Sequence, residues 1–290
     1  MGKPLDNPGS VGIRAAAEAN AVRSEPVVEF ARKKSPVPAS DFFDDHQPLN
    51  GHGTTEREFV PLPIADLPQV ALPRDATKPL VTSNDRYAKD ALEAYKSLRT
   101  RLLKSQASQG FRSIAVTSVG RSEGKTLTAF NLAFCCAVVE NLSVLLIDGD
   151  LRSSSLTKLI GRMPSAGLAD VMSSRASCEQ AIVRTDVPNL FVMGAGPSDG
   201  SSTELFSTEN WGQVIRWSRN HFKIVLVDAV SMGSADFELI APECDGVLLV
   251  VRARSTSREA LKMAVEQIDA KKLVGIVWNG SSSDKKILYS

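Results

Sequence analysis

The stretch from Ser113 to Glu140 restricts the fold more than any other. An apolar run, SIAVTS, breaks into VGRSEGKT and then into a long helical pattern, LTAFNLAFCCAVVE. Strand, loop and helix in that order form the setting of a phosphate loop. Its backbone N–H groups and helix N-terminus cradle phosphate, a Lys reaches the β and γ oxygens, and a Thr holds Mg²⁺. Gly124, Lys125 and Thr126 supply the second half of that signature. The first half departs from it: Val119 stands in the glycine slot, with Gly120 one residue later. Gly120, Arg121, Ser122, Glu123, Gly124, Lys125 and Thr126 are the candidate nucleotide-binding residues.

From Ser113 onward short apolar runs alternate with helical patterns, which predicts an α/β fold with a mostly parallel sheet flanked by helices. Expected strands are residues 143–148, 189–193, 223–228, 246–251 and 273–278. Expected helices include Asp85 to about Ser105, Thr203 to about Asn220 and Thr256 to about Ala270. The first of these places Tyr87, Ala91, Tyr95, Leu98 and Leu102 on one face, with Leu92 at its border and Glu93, Lys96 and Arg99 away from it. Two strands end on an aspartate, Asp148 and Asp228. Ligands of an open α/β sheet bind beyond the carboxyl ends of its strands, so both carboxylates are delivered to the edge that carries the phosphate loop.

Of 15 prolines, 11 precede Leu80, in a region without sustained periodicity. Residues 1–82 are therefore expected to be a disordered, proline-rich tail, 83–280 a phosphate-loop domain and 281–290 a short C-terminal tail. A formal net charge of +1 gives no global basic footprint for a nucleic-acid partner. Cys135, Cys136, Cys178 and Cys244 lack metal-ligand spacing and read as reduced thiols of a cytosolic protein. Neither a membrane-spanning run nor a signal-peptide core is evident, so membrane association is expected only through a partner.

Phosphoryl transfer requires charge neutralisation at the γ-phosphate, a fixed metal and an oriented nucleophile. Lys125 suits the first role, and Thr126 with Asp228 the second, directly or through water. Asp148 and Asp150, in LLIDGDLR, are candidates for a further metal ligand and a base.

The residues from about 90 to 280 resemble the cytoplasmic domain of bacterial tyrosine kinases of the capsular and exopolysaccharide family, relatives of the partition and septum-placement ATPases. EAYKSLRTRL is similar to that family's Glu-x-x-Arg-x-x-Arg helix, with Glu93, Lys96 and Arg99 in its slots. TSVGRSEGKTLTAFNLA resembles its Walker A, LLIDGDLR its second acidic motif and IVLVDAVSM its Walker B; GLADVM, NLFVMGAG, STELFST and GIVWNG follow in the family's order and spacing. The resemblance implies ATP and Mg²⁺ as cofactors, with Lys125 and Thr126 on the phosphates and metal. It makes Asp148 the catalytic acid near the attacking hydroxyl, Asp150 an auxiliary acid and Asp228 the metal ligand. Asn279 would lie near the adenine. Glu93, Lys96 and Arg99 would contact the next subunit of a ring-like homo-oligomer in which tyrosine tails are phosphorylated between neighbours. It also implies a membrane polysaccharide co-polymerase or activator as partner, and a place at the inner face of the plasma membrane through it.

Four departures qualify that expectation. Arg121-Ser122 replaces the usual Pro-Gly, and a Ser at a left-handed position costs on the order of 1 kcal/mol. Lys96 replaces an Arg and loses its planar fork. Ala229-Val230-Ser231 follows the Walker B aspartate where Thr-Pro-Pro is usual. The tyrosine-rich tail is missing, since the chain holds only Tyr87, Tyr95 and Tyr289. Tyr289 is thus the candidate phosphoacceptor. The alternatives to a kinase are a degenerate scaffold or regulator of the same assembly, and a partition-type ATPase.

Overall fold

The computed structural model describes residues 25–29, 62, 66–74, 80–81, 86–161, 163, 165–197 and 201–281. Its elements, in chain order, begin with β1 (Glu25–Glu29), β2 (Gln69–Val70), α1 (Arg86–Gln109), β3 (Ser113–Ser118), α2 (Lys125–Ala137), β4 (Val144–Asp148), α3 (Ser155–Ile160), α4 (Leu168–Met172) and α5 (Cys178–Ala181). Then come β5 (Ile182–Thr185), β6 (Leu190–Met193), α6 (Ser202–Phe206), α7 (Glu209–His221), β7 (Ile224–Asp228), α8 (Ala235–Glu243), β8 (Gly246–Arg252), α9 (Arg258–Gln267) and β9 (Leu273–Ser281).

The strands form one sheet in the order β1-β9-β8-β3-β7-β4-β6-β5-β2. Its central pairs are all parallel; only β1 on β9 and β5 on β6 run antiparallel. Strands buried on both faces read as continuous apolar runs, because alternate side chains serve two different cores. Ile114, Val116, Leu146, Leu226 and Leu248 face α1 and α2, whereas Ala115, Leu145, Ile147, Val227 and Leu249 face α4, α7 and α8. Of the stripe expected on α1, Ala91, Tyr95, Leu98 and Leu102 pack inward, and the Tyr87 side chain lies outside the described residues. Each fully buried leucine contributes roughly 1.5–3 kcal/mol. Gly110, at φ 73°, ends this helix with its N–H on the Gln106 carbonyl.

Two short pieces of the proline-rich region are described as strands: β1 pairs with β9 at one edge of the sheet, and β2 pairs with β5 at the other. Backbone pairing does not need side-chain periodicity, and a strand of 2 residues cannot display any. Leu72 N–H and the Arg74 guanidinium both bind Asp186, and Val81 N–H binds the Asn131 side chain, which fastens two further points of the tail. Residues 1–24, 30–61, 63–65, 75–79 and 82 lie outside the described residues. One expectation is corrected: the helix expected from Thr203 to Asn220 breaks at residues 207–208 into α6 and α7. The Ser207 and Thr208 hydroxyls donate to the Thr203 and Leu205 carbonyls, and Thr208 turns extended (φ −80°, ψ 158°).

Candidate functional site

The sheet order sets the site. β3 lies between β8 and β7, and β4 lies beyond β7, so the loop after β3 faces the ends of β7 and β4. Asp148 and Asp228 are direct cross-strand partners, with side chains projecting side by side. Gly149 permits this closeness, since a Cβ there would meet Val227 Cγ1 at 2.9 Å.

In the loop Gly124 adopts φ 96° and leads into α2, whose first turn begins with Lys125 and Thr126. Ser122 adopts φ 60°, the left-handed conformation expected of the residue that replaces glycine. Arg121 and Ser122 are exposed, and Glu123 is buried. The segment is fastened from the ends of β8 and β9. The Arg252 guanidinium donates to Ser122 O (3.0 Å), the Thr256 hydroxyl to Glu123 Oε1 (2.5 Å) and the Asn279 amide to Glu123 O (2.8 Å). Asn279 therefore sits directly on the loop, so close that a Cβ on Gly124 would meet its Nδ2 at 2.0 Å. Arg252 and Thr256 carry no signal in the sequence. Neither belongs to a motif, and only the adjacency of β8 to β3 brings them in.

Lys125 Nζ lies 3.5 Å from Asp150 Oδ2. Asp228 is fully buried, and neither of its carboxylate oxygens has a partner at full hydrogen-bonding geometry, although the Thr126 side chain lies beside them. Burial pushes its pKa up to about 8; Lys125 pulls against that rise, and Asp148 adds to it. An orphaned buried carboxylate beside a cation and a helix N-terminus is a donor that would suit a divalent metal. Asp148 differs. Its Oδ2 accepts the Thr157 N–H (2.8 Å) and hydroxyl (2.6 Å), and its Oδ1 accepts the Asp150 N–H (3.3 Å). Burial raises its pKa, and the Thr157 bonds oppose the rise. Thr157, like Arg252, escapes a reading of the sequence, where a Thr inside a short helix carries no signal.

The other expected residues fall as follows. Glu93 pairs with Lys96 (2.7 Å) on the exposed side of α1, while the Arg99 guanidinium donates to Cys135 O of α2 (3.1 Å). Tyr289 lies outside the described residues. Tyr95 is buried, with its hydroxyl beside Asn131 and Thr128, and burial pushes its pKa up. All four cysteines are free; burial pushes Cys135, Cys178 and Cys244 up to about 12 and raises Cys136 as well. Among the described residues, no helix is long and apolar enough to cross a membrane. A cleft of about 670 Å³ lined by Arg175, Cys178, Gln213 and Trp217 contains none of the groups of the loop.

No protein-family model matches the chain. Individual proteins do. It is 31% identical over 206 residues to the tyrosine-protein kinase CpsD of Streptococcus agalactiae, an alignment that covers 69% of this chain and 88% of that one. With CpsD of Streptococcus pneumoniae it shares 30% over 197 residues, 67% of this chain and 86% of the relative. Among solved structures, the kinase domain of the Escherichia coli tyrosine kinase ETK superposes with a TM-score of 0.63 at 23% identity, covering 69% of this chain and 79% of that domain; at that identity it supports the fold alone. The order of motifs around the loop and the identity to CpsD, over most of its length, agree: the chain belongs to the bacterial tyrosine-protein kinase family.

Proposed function

We propose that the protein transfers the γ-phosphoryl group of ATP to tyrosine, in the control of capsular or exopolysaccharide polymerisation and export. The observation that carries this reading is the orphaned Asp228 carboxylate beside Lys125 at the start of α2. Such a site is built for a magnesium nucleotide. Lys125 and the backbone N–H groups of residues 120–126 hold the phosphates, and Lys125 exchanges its contact with Asp150 for them. Thr126 and Asp228, with Asp148 at their side, would hold Mg²⁺, which neutralises phosphate charge when bound. Asp148 accepts the proton of the attacking tyrosine hydroxyl, and Asp150 fixes the turn that presents it, with its Oδ1 accepting the Ser153 N–H. Asn279 holds the loop and lies on its adenine side. Glu93, Lys96 and Arg99 form the contact to the next subunit of a homo-oligomer. A membrane co-polymerase supplies activation, and it holds the chain at the inner face of the membrane. Tyr289 is the acceptor.

The test is incorporation of labelled phosphate into tyrosine with ATP, Mg²⁺ and the cytoplasmic segment of a co-polymerase. Lys125→Met is expected to lower it at least ~100-fold. Nucleotide binding without any phosphotyrosine would overturn the reading. A second reading, a scaffold that binds nucleotide poorly or not at all, draws on the strained Ser122 and on the burial of Tyr95, which removes one of three tyrosines as acceptor. It predicts no ATP binding, with assembly lost in Arg99→Ala.

A further inference from the structure

We infer that Thr157 is a positioning residue for Asp148, and that it leaves Oδ1 as the oxygen that works on the substrate hydroxyl. The inference rests on the kinase reading of the site and goes beyond it, to a residue outside every motif of the family resemblance.

The direction of one proton decides the matter. The Thr157 hydroxyl contacts two groups: Asp148 Oδ2 at 2.6 Å and the Ala195 N–H at 2.9 Å. An N–H can only donate and a carboxylate can only accept, so the single hydroxyl proton has one place to go. It points at Asp148. The N–H of the same residue reaches the same Oδ2 at 2.8 Å, so one carboxylate oxygen takes two donors from one residue. Turning the carboxylate over would break both bonds. Oδ1 keeps a single long contact, from the Asp150 N–H at 3.3 Å, and so retains the lone pairs that a base requires.

Thr157 is held from outside by the turn that follows β6. Ala195 supplies the N–H, and the glycines on either side of it let the turn press against the start of α4. A Cβ on Gly167 would meet Gly196 N at 2.3 Å and Gly194 O at 2.6 Å. Leu168 N–H binds Gly194 O, and Ala169 N–H binds Ala195 O. The segments GLADVM and NLFVMGAG thereby act together. They hold the turn whose amide orients Thr157, and Thr157 orients Asp148.

Full-length Thr157→Val and Thr157→Ser test this. With ATP, Mg²⁺ and a glutamate–tyrosine copolymer, Thr157→Val is expected to lower kcat by about 10- to 100-fold with KM for ATP within about twofold, and Thr157→Ser to stay within about threefold of wild type. A second readout needs no turnover: the ¹³C resonance of the Asp148 carboxylate, assigned through Asp148→Asn, shifts in Thr157→Val and returns in Thr157→Ser. Should Thr157→Val not fold, Thr157→Ala makes the same comparison. A folded Thr157→Val with kcat near wild type, a Thr157→Ser as impaired as Thr157→Val, or an unmoved resonance overturns the inference. A wild-type protein that binds nucleotide but phosphorylates no tyrosine overturns the kinase reading alone, and the resonance then decides the role of Thr157.

Discussion

At the scale of the residue, Asp228 is where function and stability oppose each other. Its carboxyl is buried without a partner at full hydrogen-bonding geometry and its pKa is raised to about 8, so the folded state keeps a proton that the unfolded chain releases near pH 4. Stability in the absence of metal therefore falls as pH rises from about 4 to about 8 and levels off above. Asp228→Asn is expected to stabilise the metal-free protein at pH 8 by a few kcal/mol, with the difference vanishing near pH 4, while it abolishes phosphoryl transfer. Melting curves in chelator across that range check it, and equal melting temperatures at pH 8 would contradict it. Ser122 is a smaller case. The left-handed conformation at φ 60° is adopted without glycine, and the Arg252 bond to its carbonyl holds it there. The left-handed position was legible through the family resemblance, as a Ser in place of the usual glycine; Arg252, 130 residues away, was not.

At the scale of the element, register rather than composition brings the strands to the site. Asp245 sets part of it. One carboxylate oxygen accepts the N–H groups of Arg112 and Ser113 and the Ser113 hydroxyl, and the other pairs with Arg219. The start of β3 is thereby locked to the start of β8. Burial works against the ionised form, but these donors and Arg219 outweigh it and hold the pKa below the usual range. A depressed carboxyl contributes stability above its unfolded value, near pH 4, and loses it as pH falls through the folded value. Asp245→Ala is expected to cost about 2–3 kcal/mol at pH 7, measured by urea unfolding, and progressively less below pH 4. An unchanged midpoint at pH 7 would contradict this. The central strands were legible because burial on both faces writes an unbroken apolar run into the sequence. α3, α4, α5 and α8 and the antiparallel β5 were not. The first three are too short for a helical period to show, and β5 owes its place to pairing with β6. The same limit hid Thr157.

At the scale of the whole molecule, both edges of the sheet are covered by the chain's own proline-rich region, β1 on β9 and β2 on β5. Uncovered edges invite pairing with other chains. Deleting residues 1–30 is expected to leave the phosphate-loop domain folded, to speed amide hydrogen exchange at residues 276–281 by about tenfold or more, and to promote self-association. Unaltered exchange there would contradict it. Proline-rich composition says nothing about backbone pairing, nor about single anchors: Leu62, Leu67, Leu72, Leu80 and Val81 of that region are buried in the core. One further consequence follows from Arg99, whose guanidinium rests on the carbonyl of Cys135. Cys135 lies near the end of α2, and Lys125 is the first residue of the same helix. Roughly ten residues of α helix make a stiff shaft of about 15 Å. A neighbouring subunit that competes for Arg99 would thus take hold of one end of a lever whose other end, under the proposed function, would cradle phosphate.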